Sequence, residues 1–190
     1  MSDQLFQHSL HGWWQNVLRA AADDVNNLDR KFFSDPALAG ELQRIVEKYS
    51  LDVARIDREA ISADAREEEF QGSDYGHRYT GKRSLLDVEI PFSGDLDSFR
   101  LSPSRAAVIM QRISIGRDSL KFTIPDDQNA QREVDTVMTQ LNQNLDKIRA
   151  EYEQAKPQLG QTIQQMADSR KAQIAKEAER DKRLSFKVNR

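Results

Sequence analysis

Apolar residues between positions 138 and 159 recur in steps of three and four: Met138, Leu141, Leu145, Ile148, Tyr152, Ala155 and Leu159. An unbroken heptad step predicts a long helix with a narrow apolar seam. A helix over residues 127–156 would run about 45 Å at 1.5 Å per residue and would need a partner for that seam. Pro157 and Gly160 follow, and Leu159, Ile163, Met166, Ala167, Ile174 and Ala178 supply a second, shorter stripe. The pattern therefore predicts a C-terminal helical hairpin. A single helix kinked at Pro157 is the other solution of the same pattern.

The N-terminal pattern is also helical. Leu10, Trp13, Trp14, Val17, Leu18, Ala21, Val25, Leu28 and Phe32 mark one face of a helix over residues 4–32. Asp35 and Pro36 suit the cap and first position of a second helix. Its apolar face would be Leu38, Leu42, Ile45, Val46 and Tyr49.

In the middle, alternation replaces helical spacing. Residues 53–60 alternate weakly, residues 64–69 form an acidic run, and Gly72, Ser73, Asp74, Gly76 and Gly81 read as a loop. Residues 85–92 alternate and end near Pro91, as a strand does, and residues 99–101 read as a short strand stopped by Pro103. Residues 108–115 and 120–124, separated by Gly116-Arg117-Asp118-Ser119, read as a hairpin. Pro125-Asp126-Asp127 closes the sheet and starts the long helix. The terminal Leu184-Ser185-Phe186-Lys187-Val188 alternates again, as a strand added to an exposed sheet edge would.

The fold class expected is α+β: an N-terminal helical pair, a small antiparallel sheet of four to five strands, and a long C-terminal helical hairpin. Residues 1–125 would form the α+β core and residues 126–190 a coiled-coil extension with a basic tip.

Composition fits this picture. Of 190 residues 38% are apolar and 31% charged, against ordinary values of about 45–50% and about 25%. Long helices exposed over much of their circumference give such a balance. The net charge of −3 does not by itself call for a nucleic acid or a membrane surface. With no cysteine, disulfides, thiol catalysis and Cys-ligated zinc are excluded. No apolar run is long enough to span a bilayer, and Met1-Ser2-Asp3-Gln4 is unlike a signal peptide. A soluble cytoplasmic protein is expected.

Candidate chemistry is sparse. His8 and His11 would share a helix face, but two ligands do not make a metal site. His77 stands among Asp74, Tyr75 and Tyr79, where a loop base is conceivable but an ordinary polar residue is the simpler reading. No phosphate-binding glycine loop and no nucleophile elbow is present. Asp87 and Glu89 share a strand face and, with Asp64, Glu67, Glu68 and Glu69, could hold a divalent cation in a nuclease-like site. A solvated strand face gives the same pattern. Neither catalytic residues nor a cofactor or metal site are therefore assigned.

Two features point to binding. The seam of Met138, Leu141, Leu145, Ile148, Tyr152 and Leu159 would pack a helical rod. Residues 170–190 hold eight basic against three acidic residues, and Arg170, Lys171, Lys176, Arg180, Lys182 and Arg183 form a candidate partner-binding tip. Such a tip could meet an acidic protein or phosphates, or simply complement a helix C-terminus. Adjacent Trp13 and Trp14 project about 100° apart on a helix, so one is expected in the core and the other against a neighbour. The expected role is a non-enzymatic adaptor or structural subunit that binds another protein or itself. Nucleic-acid binding is the alternative, and a cryptic metal-dependent nuclease or hydrolase a further one.

The run Ile90-Pro91-Phe92-Ser93-Gly94-Asp95, followed by Phe99 and Ser102-Pro103-Ser104, resembles an uncharacterised bacterial region with an Ile-Pro-Phe-x-Gly-Asp…Phe…Pro-Ser signature and a helical tail. That resemblance implies an accessory component of a bacterial anti-phage defence locus. It implies no functional residues.

Overall fold

A computed structural model describes residues 5–34, 36–74 and 77–183. Its helices are α1 (Leu10–Asn26), α2 (Leu38–Lys48) and α3 (Ala130–Asp181). Its strands are β1 (His8–Ser9), β2 (Arg55–Ile56), β3 (Ser62–Asp74), β4 (His77–Ser93), β5 (Leu101–Ser102), β6 (Ser114–Ile115) and β7 (Ser119–Pro125). The protein is α+β, with a five-stranded antiparallel sheet and a separate parallel pair, β1 with β5. The chain divides into two units, residues 1–10 with 51–151 and residues 11–50 with 152–190. Position 125/126, the boundary expected from sequence, falls inside the first of them.

In the first unit β4 is the central strand. It pairs along one side with β3 and β2 and along the other with β7, which carries β6 at its far edge. Strand alternation sorts the side chains. Leu86, Val88, Ile90 and Phe92 share a face with Leu120, Phe122 and Ile124, and all but Leu86 are buried. The first part of α3 borders this face, where Val134 and Met138 line one groove with Leu86 and Val88. Behind it Val137, Met138, Leu141, Leu145 and Ile148 are buried.

β3 and β4 continue beyond the end of β7 as a two-stranded ribbon. β7 stops at the pair Leu85↔Pro125, while β3 and β4 stay paired to Asp74↔His77. This corrects the loop reading at Gly72, Ser73, Asp74 and Gly81, which are strand, while Gly76 lies outside the described residues. The reason lies across the strands: Gly72 is opposite Tyr79 and Gly81 opposite Phe70. A Cβ at either glycine would run into the facing ring. The two rings meet edge to face at 6.0 Å, so each glycine is covered by an aromatic neighbour. The acidic run is strand as well, with Glu68 bonded to Arg83 (3.2 Å) and Glu67 to Lys82 (3.4 Å).

Three further expectations change. Of residues 108–115 only Ser114–Ile115 pair with β7, through a turn in which the Gly116 amide donates to the Ser119 carbonyl at 2.8 Å. Residues 96–99 are a 3-10 helix, and Leu101–Ser102 pairs with His8–Ser9, so His8 and Ser9 are strand rather than helix. α1 ends at Asn26, and a short 3-10 helix, Arg30–Ser34, precedes α2. Asp35 and the terminal run 184–188 lie outside the described residues.

In the second unit the distal part of α3 meets α1 and the 3-10 helix Arg30–Ser34. Trp14 stacks edge to face on Tyr152 (5.7 Å) and its Nε1 donates to Gln158 (3.2 Å). Arg30 is bonded to Glu177 at 3.0 Å. Asp24 accepts from Lys48 (2.6 Å) and Tyr49 (2.9 Å), tying α1 to α2. α3 runs unbroken through Pro157, so the turn of the expected hairpin is absent. An interior proline costs about 3 kcal/mol. Burial of Tyr152, Leu159, Ile163 and Ala167 outweighs that at about 25 cal/mol per Å² of apolar surface. The distal stripe needs no fold-back, because the N-terminal helices already cover it.

Candidate functional site

All six seam residues are buried: Met138, Leu141, Leu145 and Ile148 in the first unit, Tyr152 and Leu159 in the second. The chain itself covers the stripe, although not by the folded-back continuation of the helix that the sequence suggested.

The basic residues of distal α3 do not form one patch. At about 100° per residue, Arg170 falls in line with the buried Ile163 and Ala167. It is half-buried, and its buried Nε has no hydrogen-bond partner among the described residues. Lys176 and Arg180 lie on one flank and Lys171 on the other, Lys182 and Arg183 follow the end of α3, and all five are exposed. Arg180 approaches Asp181 at 3.9 Å.

The carboxylates of the sheet are engaged by their own neighbours. Asp87 accepts from Thr123 (2.6 Å) and Arg66 (2.7 Å), and Glu89 from Ser119 (2.6 Å) and Lys121 (3.1 Å). The Thr123 hydroxyl and then the Arg66 guanidinium hold the Asp87 pKa below its usual value. The Ser119 hydroxyl and then Lys121 do the same for Glu89. Both groups stay ionised as acceptors in cross-strand pairs. Among the described residues no three His, Asp or Glu side chains converge as metal ligands. His8, His11 and His77 are exposed, His77 on β4 rather than in a loop. Trp14 is buried and Trp13 half-buried beside it, their rings 6.0 Å apart.

The Ile-Pro-Phe-x-Gly-Asp…Phe run builds a clamp. Ile90 and Phe92 are core residues, and Phe92 meets Phe99 at 4.7 Å. Gly94 has φ +90°, a conformation glycine adopts freely, and a Cβ there would sit 2.9 Å from the Asp52 carbonyl oxygen. Asp95 then grips Asp52 twice: its carboxylate accepts from the Asp52 amide and its own amide donates to the Asp52 carbonyl, each at 2.7 Å. The buried Ser98 hydroxyl accepts from the Ala54 amide at 3.0 Å.

The most open apolar surface lies where the sequence predicted a paired strand. Residues 104–112 are held along α3 by side chains. Asn144, fully buried, accepts from the Ala107 amide (2.6 Å) and donates to the Ala107 carbonyl (3.0 Å). Glu151 accepts from the Ser104 amide, Lys147 donates to the Arg105 carbonyl, and Gln111 donates to Glu133. Ala107, Ile109 and Gln111 are half-buried, while Val108 and Met110 project, 71% and 87% exposed. Asn144 escaped sequence reading. Its one signal is a lone amide three residues from Leu141, on the seam side of an otherwise apolar stripe. The segment lies beside a cavity of about 690 Å³ that Leu5 and Phe6 also line.

Among the described residues no helix is long and apolar enough to cross a membrane. No protein-family model, curated protein or solved structure matches this chain.

Proposed function

We propose that this chain is a non-enzymatic protein-binding subunit, an adaptor or structural component of a bacterial cytoplasmic assembly, in keeping with the defence-locus resemblance of its Ile-Pro-Phe-x-Gly-Asp run. One observation carries the reading. Val108 and Met110, two residues apart on one loop, stand 71% and 87% exposed, while Asp87 and Glu89 beside Met110 are already paired; Tyr79, 50% exposed, stands apart from them on the ribbon. Exposed apolar groups mark contact surfaces when they stand together, and large side chains dominate binding energy. The test is reconstitution. A partner captured by the tagged chain is purified and rebound to wild type, to Tyr79→Ser, and to Val108→Ser with Met110→Ser. Binding should weaken at least tenfold in one variant with the circular dichroism unchanged. Equal binding by all three would defeat the reading.

A second reading rests on distal α3 and the two residues that follow it. Lys171, Lys176, Lys182 and Arg183 are exposed, and Glu177 is taken by Arg30. These cations could contact nucleic-acid phosphates, with affinity that falls steeply as salt rises. A mobility shift at two salt concentrations, with Lys182→Glu and Arg183→Glu, tests it. A salt-sensitive shift lost in that variant would promote this reading over the first.

A further inference from the structure

Residues 106–110, between a turn at 104–105 and a bend at Gln111, have the makings of a short strand without a neighbour. Ala-Val-Ile-Met is β-prone, and burial alternates along it, with 107 and 109 half-buried and 106, 108 and 110 exposed. Asn144 holds both the N–H and the C=O of Ala107. In extended chain both backbone groups of one residue point to the same edge, and those of the next residue to the opposite edge. Fixing Ala107 toward α3 therefore turns the backbone groups of Val108 and Met110 toward the free edge. Among the described residues neither makes a backbone hydrogen bond.

We propose that this edge pairs with the same edge of a second copy, antiparallel, with Val108 of each chain opposite Met110 of the other. The inference rests on the protein-binding reading above and gives it one occupant. Only even-numbered positions present hydrogen-bonding groups on the free edge, so an isologous pair must set even residues against even ones. The register about Ile109 does so. It sets Val108 against Met110 twice, so that the two most exposed aliphatic side chains cover each other. No arginine faces an arginine, and residues 104–117 contain no acidic side chain that would have to be buried. The pair would carry about four backbone hydrogen bonds, two for each Val108–Met110 pair. So small an interface belongs to the concentration-dependent class.

The absence of cysteine from the chain makes the test unambiguous. Val108→Cys and Met110→Cys proteins are purified separately, mixed and mildly oxidised. Directly facing Cα atoms lie about 5.5 Å apart, inside disulfide range, whereas the diagonal 108–108 and 110–110 pairs lie about 7–8 Å apart, outside it. The mixed disulfide should therefore form well ahead of either homodimer and of an Arg117→Cys control. Sedimentation of the untouched chain should show a monomer–dimer equilibrium that Val108→Lys with Met110→Lys abolishes. Both side chains are exposed, so this variant should keep its fold, which circular dichroism checks. Mixed and like disulfides forming no faster than the control, or a monomer at every dilution, would overturn the pairing. Dominance of the Met110→Cys homodimer would overturn the register. If the chain stays monomeric yet a reconstituted partner depends on Val108 and Met110, the self-pairing fails while the protein-binding reading stands.

Discussion

Asn144 does for Ala107 what a neighbouring strand would do. Its amide is fully buried, so its hydrogen bonds matter more than those at the surface. Asn144→Ala would strand the Ala107 backbone groups, at a cost of about 1–3 kcal/mol. Amide exchange over residues 104–112 should accelerate more than elsewhere. A urea midpoint matching wild type would show that the clamp contributes nothing in solution. The paired carboxylates give a pH prediction whose sign follows from their direction. Asp87 and Glu89 titrate below their ordinary values of 3.8 and 4.5. Their stabilisation is thus complete above those values and is lost as pH falls through the lowered ones. The urea midpoint should drop on acidification below the ordinary values, and Asp87→Asn with Glu89→Gln should flatten that drop. An unaltered acid slope would mean that the cross-strand pairs do not persist in solution.

α3 can be tested at the two residues that suggested a turn. In a continuous helix an exposed glycine costs about 1 kcal/mol relative to alanine and an interior proline about 3. Gly160 has open space around its Cβ position, and Pro157 is exposed. Gly160→Ala should therefore raise stability by about 0.5–1 kcal/mol, and Pro157→Ala by more. A hairpin turning at 157–160 would lose stability in both variants. Within the seam, Leu145→Ala should cost about 2–5 kcal/mol, and Leu141→Asp more, because it buries a charge. The seam was legible in the sequence because heptad spacing reports that one face is buried. It does not report what covers that face, so the covering by Trp14 and the sheet could not be read. The ribbon was illegible for a related reason. Glycines in a strand look like turn signals until the rings of Phe70 and Tyr79 across the strand are known, and Glu68 finds Arg83 only once the register is set. Residues 108–113 showed the opposite failure: β-prone residues were present, but only Ser114 and Ile115 had a strand to join.

At the scale of the whole chain, protection from amide exchange should follow cover. Residues 85–92 and 119–125 should exchange slowly. Residues 67–74 and 77–84 should exchange fast, because a lone two-stranded ribbon is at best marginally stable in water. Comparable protection in both would mean that something covers the ribbon in solution. The fold class could be read from the change of period along the chain, helical at both ends and alternating in the middle. The division into units could not, because the second unit is assembled from residues 11–50 and 152–190, which no local pattern connects. That interleaving bears on biosynthesis. α1 and α2 leave the ribosome early, but Tyr152 and Gln158, against which Trp14 rests, follow about 100 residues later. At about 5–20 residues per second, the apolar face of the first two helices waits roughly 5–20 seconds for its cover. A nascent chain halted before residue 152 would present that face to chaperones, and the second unit would close only once the distal part of α3 has emerged.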